Sequence, residues 1–116
     1  MNFRFPKSEK LKSKKAIELL FTEGKSITNY PVKLFYLPSD TIKKSQAAFA
    51  VPKRNFKTAV DRNRIKRQLR EAYRLQKHLL KNEDDLKFTF FFLYIGNEKL
   101  SYSKIESSVK TLIKKI

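Results

Sequence analysis

The sequence contains no cysteine. A chain without cysteine has no disulfide framework, no thiol nucleophile and no cysteine-ligated zinc or iron–sulfur site. Small exported domains commonly depend on disulfides, so this absence favours a protein of the cytoplasm. The single histidine, His78, cannot build a metal cluster, and no carboxylate is evident in the sequence to orient it for acid–base chemistry. The residues therefore give no support for catalysis by the protein itself.

Long apolar runs are also missing. The longest, "FTFFFLYI" at 88–95, is far shorter than the roughly 20 residues that span a bilayer. The N-terminal stretch "MNFRFPKSEKLKSKK" is polar and basic, which is unlike a secretory signal. There is no repeat and no linker rich in proline or glycine. We therefore expect one domain over residues 1–116, with residues 1–10 extended or mobile.

Acidic residues are scarce. The chain of 116 residues has 11 Asp and Glu against 27 Lys and Arg, a formal net charge of +16. So large a charge on so small a body produces self-repulsion that ordinary packing does not require. A polyanionic partner would relieve this repulsion.

The predicted helices have recognisable ends. Ser13 can cap a first helix that Gly24 stops. A long helix is predicted to start at Ala59, because Thr58 and Asp61 form a variant of the capping box. A third helix is predicted after Ser101 or Ser103, with an apolar stripe formed by Ile105, Val109, Leu112, Ile113 and Ile116.

Strand patterns occur between these helices. Residues 30–37 and 46–52 are apolar and β-prone, residues 38–40 read as a polar break, and residues 25–29 read as a brief strand or a connection. The stretch 86–96 is apolar on both faces, which indicates a strand inside a sheet, with Phe88, Phe90, Phe92 and Tyr94 in the core. The order of elements predicts an α+β sandwich of a sheet and packed helices.

A helical wheel at about 100° per residue divides the long helix into two faces. The apolar face contains Ile65, Leu69, Ala72, Gln76, Leu79 and Leu80. The opposite face carries Asn63 and a cationic stripe consisting of Lys66, Arg67, Arg70, Arg74 and Lys77. Arg62 and Arg64 fall outside this stripe, near the helix N-terminus, where the helix dipole disfavours cations.

A solvated charged face is the ordinary alternative to a binding surface. Solvated faces usually mix signs, because opposite charges four residues apart stabilise a helix by about 0.2–0.5 kcal/mol and like charges destabilise it by similar amounts. Here Lys66 and Arg70, and Arg70 and Arg74, are like pairs, and Glu71 alone opposes them within the stripe. Arginine also outnumbers lysine, and its planar fork suits phosphate. The stripe therefore favours phosphate binding over a solvated face.

The run "AVPKRNFKTAVDRNRIKRQLREAYR", with Arg-Asn-Arg at 62–64, resembles the signature of the bacterial ribonuclease P protein subunit. The stretches "EKLKSKKAIELLFTEGKS" and "YPVKLFYLP" are similar to that family's first helix and following strand. The resemblance covers nearly the whole chain. It implies an αβββαβα sandwich with a mixed four-stranded sheet and a left-handed βαβ crossover.

The resemblance also implies a function. Members of the family bind the catalytic RNA of ribonuclease P and assist it in removing the 5′ leader from precursor tRNA. Cleavage would be carried by the RNA with Mg²⁺ that the RNA holds, so the protein alone would need no cofactor, no protein partner and no membrane. The resemblance implies that the surface for the catalytic RNA comprises Arg62, Asn63, Arg64, Lys66, Arg67 and Arg70. The cationic stripe adds Arg74 to this surface.

A second implied surface is a cleft for the single-stranded leader. The matching positions are Ile17, Phe21 and Phe35, with Lys53 and Arg54 nearby. The spacing of Phe21 with Ile17 and Leu20 favours a core position for Phe21, whereas Phe35 alternates with Lys33 on a strand face that reads as open. A positive groove with aromatic faces is what single strands bind.

The chain departs from the family pattern in three places. Position 17 is commonly aromatic in the family but is Ile here, the connection at 55–58 lacks a glycine that many members have, and the C-terminal helix ends without a long basic tail. The acidic cluster at 82–85 could bind a divalent ion but reads better as a solvated turn. Two other functions stay open: a general RNA-binding or ribosomal protein, and a membrane-surface protein with a basic amphipathic helix.

Overall fold

The computed structural model describes residues 5, 7–80 and 87–116. The helices and strands follow one another in the predicted order, which confirms the α+β class and the αβββαβα arrangement. They are α1 (Lys14–Glu23), β1 (Lys25–Asn29), β2 (Val32–Ser39), β3 (Gln46–Ala50), α2 (Ala59–Gln76), β4 (Lys87–Tyr94) and α3 (Tyr102–Lys114), with single 3-10 turns at Lys7–Glu9 and Lys77–Leu79.

The strands form one mixed sheet in the order β1-β2-β4-β3. β1 pairs antiparallel with β2, and β2 antiparallel with β4. β4 is internal, as its apolar composition predicted. β3 pairs parallel with β4, so α2 forms the crossover of a βαβ unit. The hand of this crossover stays a prediction.

One face of the sheet forms the main core with α2 and α3. Side chains alternate between the faces of a strand, so every second residue of β2 and β4 points to these two helices. α2 contributes Ile65, Leu69 and Ala72, the buried face that the wheel predicted. The strands and α3 complete the core with Val32, Leu34, Phe90, Phe92, Tyr94, Ile105, Val109, Leu112 and Ile113.

The other face of the sheet carries α1, which packs on β2 and β4. Leu20 of α1 is fully buried but lies outside the main core cluster. The two layers of helices therefore bury different faces of the same sheet, and α1 covers its face alone among the described helices. That arrangement leaves room for an open surface beside α1.

The helix ends follow the predicted capping chemistry. The Ser13 hydroxyl accepts a hydrogen bond from the Ala16 amide at 3.2 Å, and the Thr58 hydroxyl accepts one from the Asp61 amide at 3.4 Å. Of the two candidates for the third cap, Ser101 is the one that caps α3. These bonds satisfy backbone donors that helix starts leave without intrahelical partners.

Gly24 is required by the close approach of two backbone segments. A Cβ at this position would collide with the carbonyl oxygen of Leu20 and would lie 3.1 Å from that of Tyr36. The backbone itself is extended, with φ of −73°. Glycine is therefore needed for space, so that the chain can turn from α1 directly into β1.

The boundaries of β2, β3 and β4 differ from the prediction. β2 begins at Val32 rather than at residue 30, and β4 covers Lys87–Tyr94 rather than 86–96. β2 continues through Pro38 to Ser39, so the predicted polar break at 38–40 was wrong in position. β1 begins at Lys25, opposite Tyr36, so Pro38 lies beyond the β1 pairing and pairs with β4 on the other side of β2. A strand tolerates proline where no ladder bond needs its amide. β3 ends at Ala50, two residues before the predicted end.

Part of the N-terminal segment lies against the sheet edge and α2. Lys10 forms a bridge with Ala47 of β3. Phe5 packs edge-on against Phe49 and Tyr73, with ring centroids 5.8 and 5.7 Å apart. Phe5 therefore extends the core, while Phe3 lies outside the described residues.

Candidate nucleic-acid interface

The outer face of α2 presents its cations to solvent. Arg64, Lys66, Arg67 and Arg70 are exposed, as is Asn63, while the opposite side of the helix is buried. None of these four cations makes a hydrogen bond or ion pair within the described part of the chain. The wheel geometry is confirmed, and four uncompensated positive charges lie along the first three turns of one helix.

The C-terminal end of the stripe is different, because its cations have carboxylate partners. Arg74 forms a two-pronged ion pair with Glu71. The ammonium of Lys77 lies 2.9 Å from a carboxylate oxygen of Glu9. The uncompensated part of the stripe is therefore Lys66, Arg67 and Arg70, and Arg74 is already engaged.

Arg62 turns back towards the loop that precedes α2. Its Nη1 donates to the carbonyl oxygens of Phe56 at 2.7 Å and Lys57 at 3.0 Å. These bonds hold the connection at 55–58 against the helix start. A role for Arg62 in RNA binding stays a prediction.

Asp61 balances the positive charge at the start of α2. The hydrogen bond with Thr58 and the interaction with Lys99, 3.3 Å away, hold the pKa of the Asp61 carboxyl below its ordinary value. The carboxylate also suits the positive end of the helix dipole. It therefore helps α2 to begin beside a loop rich in basic residues.

A second surface lies between α1 and the sheet. Phe21 packs edge-on against Phe35 at 4.9 Å and against Phe91 at 5.1 Å between ring centroids. Phe21 keeps 50% of its surface exposed, so the core position favoured by its spacing was wrong. We call these three rings the aromatic cleft.

A cation adjoins the aromatic cleft. The ammonium of Lys33 lies 5.1 Å from the centroid of the Phe35 ring, within the range of a cation–π interaction. Phe35 is half-buried on the face that the alternation of β2 predicted to be open. The cleft thus combines partly exposed aromatic rings with positive charge, a combination that suits single-stranded nucleic acid.

The remaining predicted cleft residues lie in different settings. Ile17 is half-buried on α1, one turn before Phe21. Lys53 and Arg54 are exposed in the turn between β3 and α2. The Asn55 side chain ties this turn to the Gly96 carbonyl at 3.4 Å. These two cations therefore belong to the connection that leads into α2, and their contact with a leader stays a prediction.

Sequence reasoning missed two residues that shape the site. Phe91 completes the aromatic cleft, although its neighbours Phe90 and Phe92 lie in the core. Because successive side chains of a strand point to opposite faces, alternation along β4 could have placed Phe91 opposite the core. Tyr73 is 1% exposed and packs on both Phe90 and Phe92. It lies about 80° from Ile65 on the wheel, at the border of the apolar face.

The described residues offer little else in the way of reactive chemistry. Among residues 7–80 and 87–116, no three His, Asp or Glu side chains converge as metal ligands. The acidic cluster at 82–85 lies outside the described residues. No helix within the described ranges has the length and apolar character to cross a membrane.

The Glu71–Arg74 pair provides a prediction about titration. The hydrogen bond and charge of Arg74 hold the pKa of the Glu71 carboxyl below 4.5, its ordinary value. Because the folded pKa is depressed, the pair stabilises the fold above pH 4.5 and this contribution is lost as the pH falls through the folded pKa. We expect Arg74→Gln to raise the Glu71 pKa towards 4.5. Carboxyl titration by NMR measures this; an unchanged pKa would contradict the pair.

Comparison with known proteins identifies the family. The family model for ribonuclease P matches residues 5–116. The ribonuclease P protein component of Porphyromonas gingivalis is 37% identical over 118 residues, which cover 97% of this chain and 86% of that protein. The component from Chlorobium phaeobacteroides is 39% identical over 106 residues, 80% of this chain and 73% of that protein.

A solved structure shows the same fold. The ribonuclease P protein from Thermotoga maritima superimposes with a TM-score of 0.78 at 22% identity, over 93% of this chain and 97% of the other. The family match and the two relatives show the family, and the solved structure shows the fold. This chain belongs to the ribonuclease P protein family.

Proposed function

We propose that this protein binds the catalytic RNA of ribonuclease P through α2 and holds the 5′ leader of precursor tRNA in the aromatic cleft. The observation that supports this proposal is the presence of two separate surfaces suited to RNA. One is a helix face with uncompensated cations, of which Arg67 and Arg70 are the centre. The other is a cleft of partly exposed rings on the opposite face of the sheet.

The two surfaces suit two forms of RNA. A line of arginines along a helix can contact successive phosphates of a folded RNA, each through a bidentate bond. Aromatic rings stack on bases that are already unpaired, and such stacking tolerates different sequences. The leader is a single strand, so the cleft can hold leaders of different sequence.

We assign bond cleavage to the RNA. When bound there, Mg²⁺ ions would activate the attacking water and stabilise the leaving oxygen. In the described part of the chain no set of carboxylate or imidazole groups converges to hold such ions. The protein's own contribution would be to position the leader and to neutralise phosphate charge between the two RNAs, which lowers the magnesium concentration that cleavage requires.

Reconstitution tests this function. We expect the protein, added to ribonuclease P RNA from the same organism, to permit cleavage of precursor tRNA at magnesium concentrations where the RNA alone is inactive. RNA binding without stimulation would overturn the assignment. A general RNA-binding protein would instead bind precursor and mature tRNA equally well, so a titration against leader length separates the two functions.

The membrane-surface alternative loses its physical basis. Such a protein would insert the apolar face of its basic helix into the lipid interface. In this fold that face of α2 is buried, with Ile65, Leu69 and Ala72 each no more than 1% exposed. Exposing it would require opening the main core.

The aromatic cleft leads to a prediction for Phe21→Ala. Stacking of a base on an aromatic ring contributes about 1–3 kcal/mol, so we expect precursor tRNA to bind about tenfold more weakly while mature tRNA is unaffected. The matched control is Leu19→Ala, because Leu19 lies on the same helix and is 44% exposed. Equal losses for the two variants, measured as affinity for precursor tRNA, would remove Phe21 from the leader site.

A further inference from the structure

We infer that a cavity at the C-terminal end of α2 binds a phosphate group of RNA. The cavity has a volume of about 270 Å³ and lies away from the uncompensated cations of the stripe. We call it the lysine cavity. It is lined by Glu9, Lys43, Lys44, Ser45, Tyr73, Lys77, His78, Leu80 and Lys87. This inference rests on the proposed function, since it adds a contact to the same RNA partners.

Four separate segments build the lysine cavity, and hydrogen bonds hold them together. The N-terminal segment is tied to β3 by the Leu11 amide, which donates to the Ala47 carbonyl at 2.9 Å. The β2–β3 loop is tied to β4 by the Phe88 amide, which donates to the Ser45 hydroxyl at 3.1 Å. α2 supplies Tyr73, 1% exposed, as a rigid side. These bonds shape the cavity without the side chains of Lys43, Lys44 or Lys87.

The charges around the cavity are unbalanced. Glu9 is the carboxylate among the lining residues, and Lys77 already bonds to it, with the two side chains only 12% and 13% exposed. Lys43, Lys44 and Lys87 face the same space and pair with no carboxylate in the described part of the chain. Residues 83–85 lie outside that part. These lysines give the lining a net positive charge, which a bound anion would offset.

A phosphate group fits the lysine cavity. Cavities that bury a drug-sized ligand measure about 300–1,000 Å³, so one of this size suits a single phosphate with part of its sugar. Lysine ammonium groups bind phosphate as point charges from several directions, without the fixed geometry of arginine. The partner is therefore an RNA backbone, contacted without reading its sequence.

The test removes the two loop lysines together, as Lys43→Gln/Lys44→Gln. The control is Lys104→Gln/Lys110→Gln, which removes two exposed positive charges from α3. Each lost phosphate contact should lower the slope of log K against log salt by about 0.7–0.9, and we expect a decrease of that size for the cavity variant, because its two lysines hold one phosphate. We also expect about tenfold weaker binding near 0.1 M salt, and a smaller change in the control.

Two RNA probes distinguish the source of the phosphate. If ribonuclease P RNA alone binds the cavity variant more weakly, the phosphate belongs to the catalytic RNA. If the loss appears only with precursor tRNA and grows with leader length, it belongs to the leader. Equal effects of cavity and control variants with both probes overturn the inference. A different variant tests the proposed function. If Arg67→Gln/Arg70→Gln binds both RNAs with the affinity of the Lys104→Gln/Lys110→Gln control, the proposed function is wrong.

Discussion

Arg67→Gln/Arg70→Gln is expected to weaken binding to ribonuclease P RNA by about a hundredfold near 0.1 M salt and to lower the salt slope by about 1.5. The physical reason is that both guanidinium groups are exposed on the outer face of α2 without a carboxylate partner among the described residues. Each can therefore give its full set of hydrogen bonds to phosphate oxygens. Filter binding over a series of salt concentrations measures both quantities.

The control for this variant is the α3 pair Lys104→Gln/Lys110→Gln, which changes the net charge equally. We expect the arginine variant to retain its unfolding midpoint, because both residues point away from the core and relief of like-charge repulsion favours the helix. Unfolding of the arginine variant at ordinary temperature would contradict the assignment of helix faces. A loss of RNA affinity no larger than the control's would remove the stripe from the interface.

Phe92→Ala is expected to lower the free energy of unfolding by about 3–5 kcal/mol, as truncation of a buried aromatic ring typically does. Phe92 is fully buried and packs against Phe49, Tyr73 and Phe90, so the lost ring leaves a cavity between the sheet and α2. A domain of this size has a total stability of about 5–15 kcal/mol, so the variant is expected to be marginal at growth temperature. Urea denaturation measures the change.

The adjacent residue supplies the matched control for Phe92. Phe91 has the same ring in the same strand, but it is half-buried on the opposite face and packs against Phe21. We expect Phe91→Ala to reduce stability by less than half as much and to weaken binding of precursor tRNA. Equal losses of stability for the two variants would mean that the two faces of β4 are not the distinct layers described above.

The pattern of β4 shows how much of the site could be predicted from sequence. Alternation along the strand correctly placed Phe90, Phe92 and Tyr94 in the core, whereas Phe88, predicted with them, is only partly buried against it. It applies equally to Phe91, which had to face the other way, but only the position of α1 above that face makes Phe91 part of a cleft. The same helix position leaves Phe21 half exposed, against the expectation from its spacing.

The sequence by itself determined the order of the elements, the apolar and cationic faces of α2, and the caps at Ser13 and Thr58. Each of these depends on residues within a turn or two of one another, so local geometry is sufficient to define them. The large positive charge, from which we inferred a polyanionic partner, is likewise a property of composition.

The tertiary structure alone decided which cations remain available. Glu9 neutralises Lys77 from 68 positions away, and Arg62 is engaged by carbonyl groups of the preceding loop. The lysine cavity is formed by four segments that meet only after the sheet has assembled. Such contacts depend on how distant segments pack together, and no periodicity within one segment encodes them.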